Sequence, residues 1–255
     1  MKRKSLTMIL CLLTCLSLVG VGFASWVISS GDKETVSGNV VVDTVSDERI
    51  VLTVTEPGVK DIKFVGPSST TTADGWLTTD NKAANLEVTY ACTVSKKTGS
   101  FTSTSEIATP LATLVEPTES TYTTAKTKGC FELSTDVGVT AATLDKFYQG
   151  IKISTPTLED GKIKFNVTVQ YKWGSEFGGI NPFDYYNELK TGVNPTFVRD
   201  VNATCGEAVD TISAEDATWG DHAYYYLDLL SKLDSNGATE GGLLSYSLTI
   251  QVDFA

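Results

Sequence analysis

The chain has a single histidine, His222, directly after Asp221, and that sets the limit on its chemistry. A Ser-His-Asp triad needs a histidine held by an acid, and a zinc protease of the His-Glu-x-x-His kind needs two on one helix face. His222 stands at an expected helix start, where it reads as a solvated capping residue. No Gly-x-Ser-x-Gly elbow, glycine-rich phosphate loop or dinucleotide fingerprint occurs. Carboxylate pairs such as Glu215-Asp216 and Asp228-Asp234 could be fitted to a glycosidase scheme, but 31 acidic residues produce such pairs by chance and no spacing selects one. Asp74, Asp80 and Asn81 around Gly75 offer oxygen ligands for calcium, yet they miss the EF-hand spacing and read as a solvated loop. The expectation is a protein that is not an enzyme, with no cofactor and no metal.

Two further sets of residues carry possible function. Cys11 and Cys15 lie in an apolar leader, which leaves Cys92, Cys130 and Cys205. Their spacing contains no metal-type Cys-x-x-Cys and is compatible with one disulfide and a spare thiol, or with three separate thiols. Cys92 falls on the apolar side of a strand pattern and is expected in the core. The aromatics Trp173, Phe177, Phe183, Tyr185 and Tyr186, then Trp219 and Tyr224 to Tyr226, cluster in one part of the chain. On a domain rim, Trp173, Trp219 and Tyr224 could stack on sugar rings. The competing reading is that these rings pack helices onto a sheet, as large aromatics usually do.

The net charge is -11 over 255 residues, and 41% of the residues are hydrophobic. Without residues 1–24 the balance is 17 basic against 31 acidic residues, or -14. An acidic body repels phosphate backbones, so no nucleic-acid partner is expected. Lys2-Arg3-Lys4 forms a basic start, and Ser5 to Ile28 contains no charge. Leu6, Met8 to Leu13, Leu16, Leu18 and Val19 make an apolar core, after which Gly20, Gly22 and Ala24 supply small residues. Gly22 and Ala24 fit the -3 and -1 positions of a signal peptide cleaved before Ser25. The alternative is a retained anchor, since a run of about 20 apolar residues can span a bilayer. Secretion or cell-surface display by a bacterium is expected, with the membrane touched only through the leader and a signal peptidase as a transient partner.

The body must be mostly strand. Ile163, Phe165, Val167, Val169, Tyr171 and Trp173 alternate with polar residues over Lys162 to Trp173. The same pattern runs through Leu244 to Phe254 and Leu86 to Val94. Such alternation means one buried and one wet face, the mark of antiparallel sheets. Shorter candidates are Asn39 to Val45, Ile50 to Thr55, Lys60 to Val65, Leu133 to Val139 and Gln149 to Ser154. Gly58, Gly66-Pro67, Asp74-Gly75, Lys128-Gly129 and Asp160-Gly161 separate them as turns. The Thr- and Ser-rich stretch from Ser68 to Lys128 reads as sheet plus loop. Asn181-Pro182 opens a short helix to about Lys190. His222 to Leu233 makes a second, with Tyr226, Leu229, Leu230 and Leu233 on one face. The expected fold class is all-β, an antiparallel β-sandwich of jelly-roll-like form with a short helical insertion before the last strand. The divisions are 1–24 signal peptide, 25–38 apolar stub and hinge, and 39–255 one domain with a helical excursion at about 175–240.

The first 55 residues carry a resemblance. Gly20-Val-Gly-Phe-Ala24 runs into the apolar stub Ser25-Trp26-Val27-Ile28, a polar hinge from Ser29 to Ser37, and Gly38-Asn39-Val-Val-Val-Asp43. This resembles exported TasA/camelysin-like proteins whose leaders are processed by a SipW-type signal peptidase. The resemblance implies a jelly-roll subunit of an extracellular-matrix or biofilm fibre, self-associating by donation of Trp26, Val27 and Ile28 as a strand to the next copy. The protease activity linked to camelysin-like proteins is not carried over, because His-Glu-x-x-His is missing. The alternative from a different class is a secreted carbohydrate-binding β-sandwich module.

Overall fold

A computed structural model of the chain describes residues 40–55, 57–59, 61–64, 77, 79–191, 219–234 and 244–255. They form two sheets facing each other across one apolar core, with helices at one end, a β-sandwich-like arrangement. The strands are β1 (Val40–Ser46), β2 (Ile50–Thr55), β3 (Glu87–Lys96), β4 (Leu111–Val115), β5 (Phe131–Leu133), β6 (Ile151–Ile153), β7 (Thr157–Glu159), β8 (Lys162–Trp173) and β9 (Tyr246–Val252). The helices are α1 (Ser120–Thr127), α2 (Pro182–Thr191) and α3 (Trp219–Asp234).

The larger sheet is organised by β8. Along one side it pairs antiparallel with β3, which in turn pairs with β2. Along the other side three short strands follow one another: β7 against its start, β6 against its middle and β5 against its end. The hairpin from β7 to β8 turns on Asp160-Gly161, with φ of 50° and 70°. Two consecutive positive φ values give a loop twist that matches the strands, which is why Asp-Gly suits this place.

The smaller sheet has the order β1-β9-β4. β4 runs antiparallel to β9, whereas β1 runs parallel to it, with Val42 opposite Leu248. The expected all-antiparallel arrangement is corrected at this pair. Alternation fixes which face of a strand is buried and says nothing of its direction. Here the turn at Asp47 to Arg49 sends the chain straight into the other sheet, and the rest of the domain serves as the crossover that a parallel pair requires.

Val40 and Val42 of β1 with Tyr246, Leu248, Ile250 and Val252 of β9 face Leu52, Tyr90, Cys92, Val94, Phe165 and Val167 of the larger sheet, all buried. Each fully buried aliphatic or aromatic side chain contributes about 1.5–3 kcal/mol. Cys92 is in the core as expected, and Cys130 is also buried; no disulfide joins the two. Cys205 lies outside the described residues.

α2 begins where the Asn181-Pro182 pattern places it. Asn181 Oδ1 accepts from the Phe183 amide at 2.9 Å, satisfying a backbone donor at the helix start. α3 starts three residues before His222 and buries Tyr226, Leu229, Leu230 and Leu233. Several strand bounds shift. Leu133 to Val139 is corrected to Phe131–Leu133, since the chain turns at Val137-Gly138, with Val137 wholly exposed. Gln149 to Ser154 shrinks to Ile151–Ile153 because Gln149 and Gly150, both at positive φ, form the preceding turn. Around Lys60 to Val65 the described part holds one bridge, Lys63 to Asn85. The Ser68 to Lys128 stretch contains a helix that its composition hides. α1 forms from Ser-Thr-Tyr-Thr-Thr-Ala-Lys-Thr by burying Tyr122 and Ala125, one turn apart. It closes with Cys130 N–H on Ala125 O and Gly129 N–H on Lys126 O, a Schellman stop in which Gly129 takes φ of 75°.

Candidate functional site

The polar residues that the fold gathers most closely lie under α1. The Glu116 carboxylate accepts from the Tyr122 hydroxyl, from Lys126 Nζ and, at 3.4 Å, from the Tyr171 hydroxyl. The two hydroxyls are themselves 2.9 Å apart. Burial raises the Tyr122 hydroxyl far above its ordinary pKa, and the neighbouring Tyr171 and Glu116 add to the rise. Burial likewise raises Tyr171. The arrangement offers a carboxylate with its lone pairs occupied and two phenols that stay protonated. It ties α1 and the end of β4 to β8, and it presents no nucleophile. Among the described residues no three His, Cys, Asp or Glu side chains gather as a metal would need.

The aromatics of the helical excursion converge on Phe177. Its ring meets Trp173, Tyr185, Tyr186 and Tyr226 with centroids between 5.9 and 6.1 Å, all edge-on. Trp173 is half-buried and also meets Phe64 edge-on at 6.4 Å. These contacts fasten α2 and α3 to the end of β8. Trp219 and Tyr224 fall on the first turns of α3, and their side chains lie outside the described residues.

The exposed feature that stands out is the rim of the smaller sheet. β4 pairs with β9 on one side, and among the described residues no backbone hydrogen bond reaches its other side. Its five residues, Leu-Ala-Thr-Leu-Val, carry no charge. Leu111 and Val115 are 52% and 58% exposed, and β6 of the larger sheet lies close to the strand. Ala112 and Leu114 pack against the core on the opposite face. Beside the strand a cavity of about 30 Å³ opens between the sheets, lined by Pro110, Leu111, Leu144, Lys146, Ile151 and Ile153 among others. Proteins usually protect such edges with charge, proline or a bulge. β4 has prolines only beyond its ends, Pro110 and Pro117, both buried. The sequence places this strand only within a stretch read as sheet plus loop, although five successive uncharged residues, Leu111 to Val115, follow Pro110 directly. β1, at the opposite rim, is the strand into which the N-terminal segment leads.

The cleavage residues Gly22, Ala24 and Ser25 and the stub residues Trp26, Val27 and Ile28 lie outside the described residues. Among the described residues no helix is long and apolar enough to cross a membrane. No family model, no curated protein and no solved structure matches the chain.

Proposed function

We propose that the chain is an exported structural subunit of a bacterial cell surface or extracellular matrix, of TasA/camelysin-like kind with jelly-roll winding. A SipW-type signal peptidase removes residues 1–24, and the subunits join into fibres by donating the freed N-terminal segment, residues 25 to about 30, as a strand to the next copy. The observation that carries this reading is the position of β1. It is the first described strand, it lies at the rim of the smaller sheet, and the stub and hinge lead directly into it. A segment leaving from a rim is free to reach an edge of a neighbour, and open sheet edges accept extended segments through their unpaired backbone groups. The stub Ser25-Trp26-Val27-Ile28 supplies apolar side chains for such a strand.

The test compares the chain beginning at Ser25 with one beginning at Asn39 by light scattering over time. Growth in the first and a steady small particle in the second are expected. Absence of growth in the chain beginning at Ser25 would overturn the reading.

A further inference from the structure

We propose that β1 and β9 form a load-bearing clamp, which holds the subunit together when its N-terminal segment is pulled. The source of the load rests on the fibre reading, in which a donated segment held by the next copy pulls on the start of β1. Seven residues of each strand are paired in parallel, from Val40 opposite Tyr246 to Ser46 opposite Val252. Because both strands run the same way, the start of β1 and the end of β9 lie at opposite ends of the ladder. A pull between those two ends slides one strand along the other and loads every hydrogen bond of the ladder at once. In an antiparallel pair the same two ends would emerge side by side, and the pull would open the bonds one after another.

The fold fastens β9 and leaves β1 as the strand that must slide. β9 is the middle strand of its sheet, and β4 pairs with it along the side away from β1. Beyond β9 the Ala108 amide donates to Asp253 O and the Ala255 amide to Glu106 O, both at 2.9 Å. At the end of β1 the Asp47 amide donates to Val252 O at 3.3 Å. Arg49, hydrogen-bonded to Asp47, lies 4.3 Å over the Phe254 ring and ties the same corner. Sliding β1 also draws Val40 and Val42, both fully buried, out of the core together. Losing the ladder and these contacts in one step raises the barrier that governs forced unfolding.

Pulling single molecules of the chain beginning at Ser25 in two directions tests the clamp, with dilution keeping the copies apart. One arm holds the chain at its N and C termini. The other holds it at the N terminus and at a cysteine introduced by Ser245→Cys, an exposed position beside the Tyr246 end of β9. Both arms use one sequence carrying Ser245→Cys and Cys205→Ser, so stability is the same and only direction differs. Cys92 and Cys130 are buried and do not take the handle. The terminal pull is expected to need a several-fold larger force than the Ser245 pull. Equal forces, or a larger force in the Ser245 direction, would overturn the proposal. Val42→Ala and Val88→Ala supply a second test, since each trims a fully buried valine, one in β1 and one in β3. Val42→Ala is expected to lower the terminal force, and Val88→Ala to leave it unchanged. A larger loss from Val88→Ala would put the barrier in the other sheet and overturn the clamp. A directional force in a chain that forms no filaments would keep the clamp and remove the fibre as its load. Filaments of a chain without directional force would remove the clamp alone.

Discussion

The hydroxyl oxygens of Tyr122 and Tyr171 lie 2.9 Å apart in the core, each within hydrogen-bond reach of the same Glu116 carboxylate. Tyr122 comes from a helix with poor intrinsic propensity and Tyr171 from the central strand, so the contact joins the least locally determined element to the most. Removing the Tyr122 hydroxyl leaves a buried phenol and a carboxylate short of a donor. Tyr122→Phe is expected to cost about 1–3 kcal/mol, read from urea unfolding. A neutral result would mean that α1 is held by its apolar contacts alone.

Alkali acts on the same pair. Burial raises the folded-state pKa of Tyr122, Tyr171 and Tyr90 above the unfolded value near 10. Their contribution to stability is present below that value and lost as pH rises beyond it, because the unfolded state releases protons that the native state keeps. Ultraviolet titration is expected to show these tyrosines ionising only together with unfolding. Ionisation of all ten tyrosines near pH 10 in a folded chain would contradict their burial.

Acid acts on another corner. Arg49 donates two side-chain hydrogen bonds to Asp47, holding its carboxyl at about 2, and lies 4.3 Å over the Phe254 ring. Glu106 is also held at about 2, chiefly by Lys96 and then by the Thr102 amide. Lys96 lies 4.9 Å over Phe101. These carboxylates contribute stability above the usual carboxylate range and lose it as pH falls through that range toward 2, where the unfolded state binds more protons. The urea midpoint is expected to fall steadily below about pH 4. A midpoint unchanged down to pH 2 would remove the role of this corner.

Burial pushes the Cys92 thiol up to about 12. The thiolate is the reactive form, so Cys92 is expected to resist alkylation in the native chain at neutral pH and to react on unfolding. Residue-level mass spectrometry after brief alkylation checks this. Native labelling of Cys92 would show that the sheets separate readily.

Gly174 marks the sharp exit from β8. A Cβ there would stand 2.1 Å from Gly129 O, a backbone atom that cannot rotate away. Gly174→Ala is expected to cost about 3 kcal/mol or more. Ala at this position with unchanged thermal stability would contradict the close approach of the two corners.

Much of this architecture is legible from periodicity. β8 has the bounds that its alternating residues imply, and β3 and β9 fall within two residues of theirs. Length explains what is not legible. β5, β6 and β7 have three residues each, too few to display a period of two, and they exist because β8 offers them a ladder. α1 was hidden because threonine-rich sequence favours strand, and the burial of Tyr122 and Ala125 overrides that preference. The Glu116 cluster was invisible because Tyr171 is 55 residues from its acceptor. The β4 edge was only half legible. Its lack of charge could be read from the sequence, whereas its place at the rim depends on the pairing of β9 with β1 and β4.

Negative-stain electron microscopy of the chain beginning at Ser25 tests the central claim most directly. The account predicts filaments from that chain and only isolated particles from the chain beginning at Asn39. Isolated particles from both would contradict assembly through the N-terminal segment.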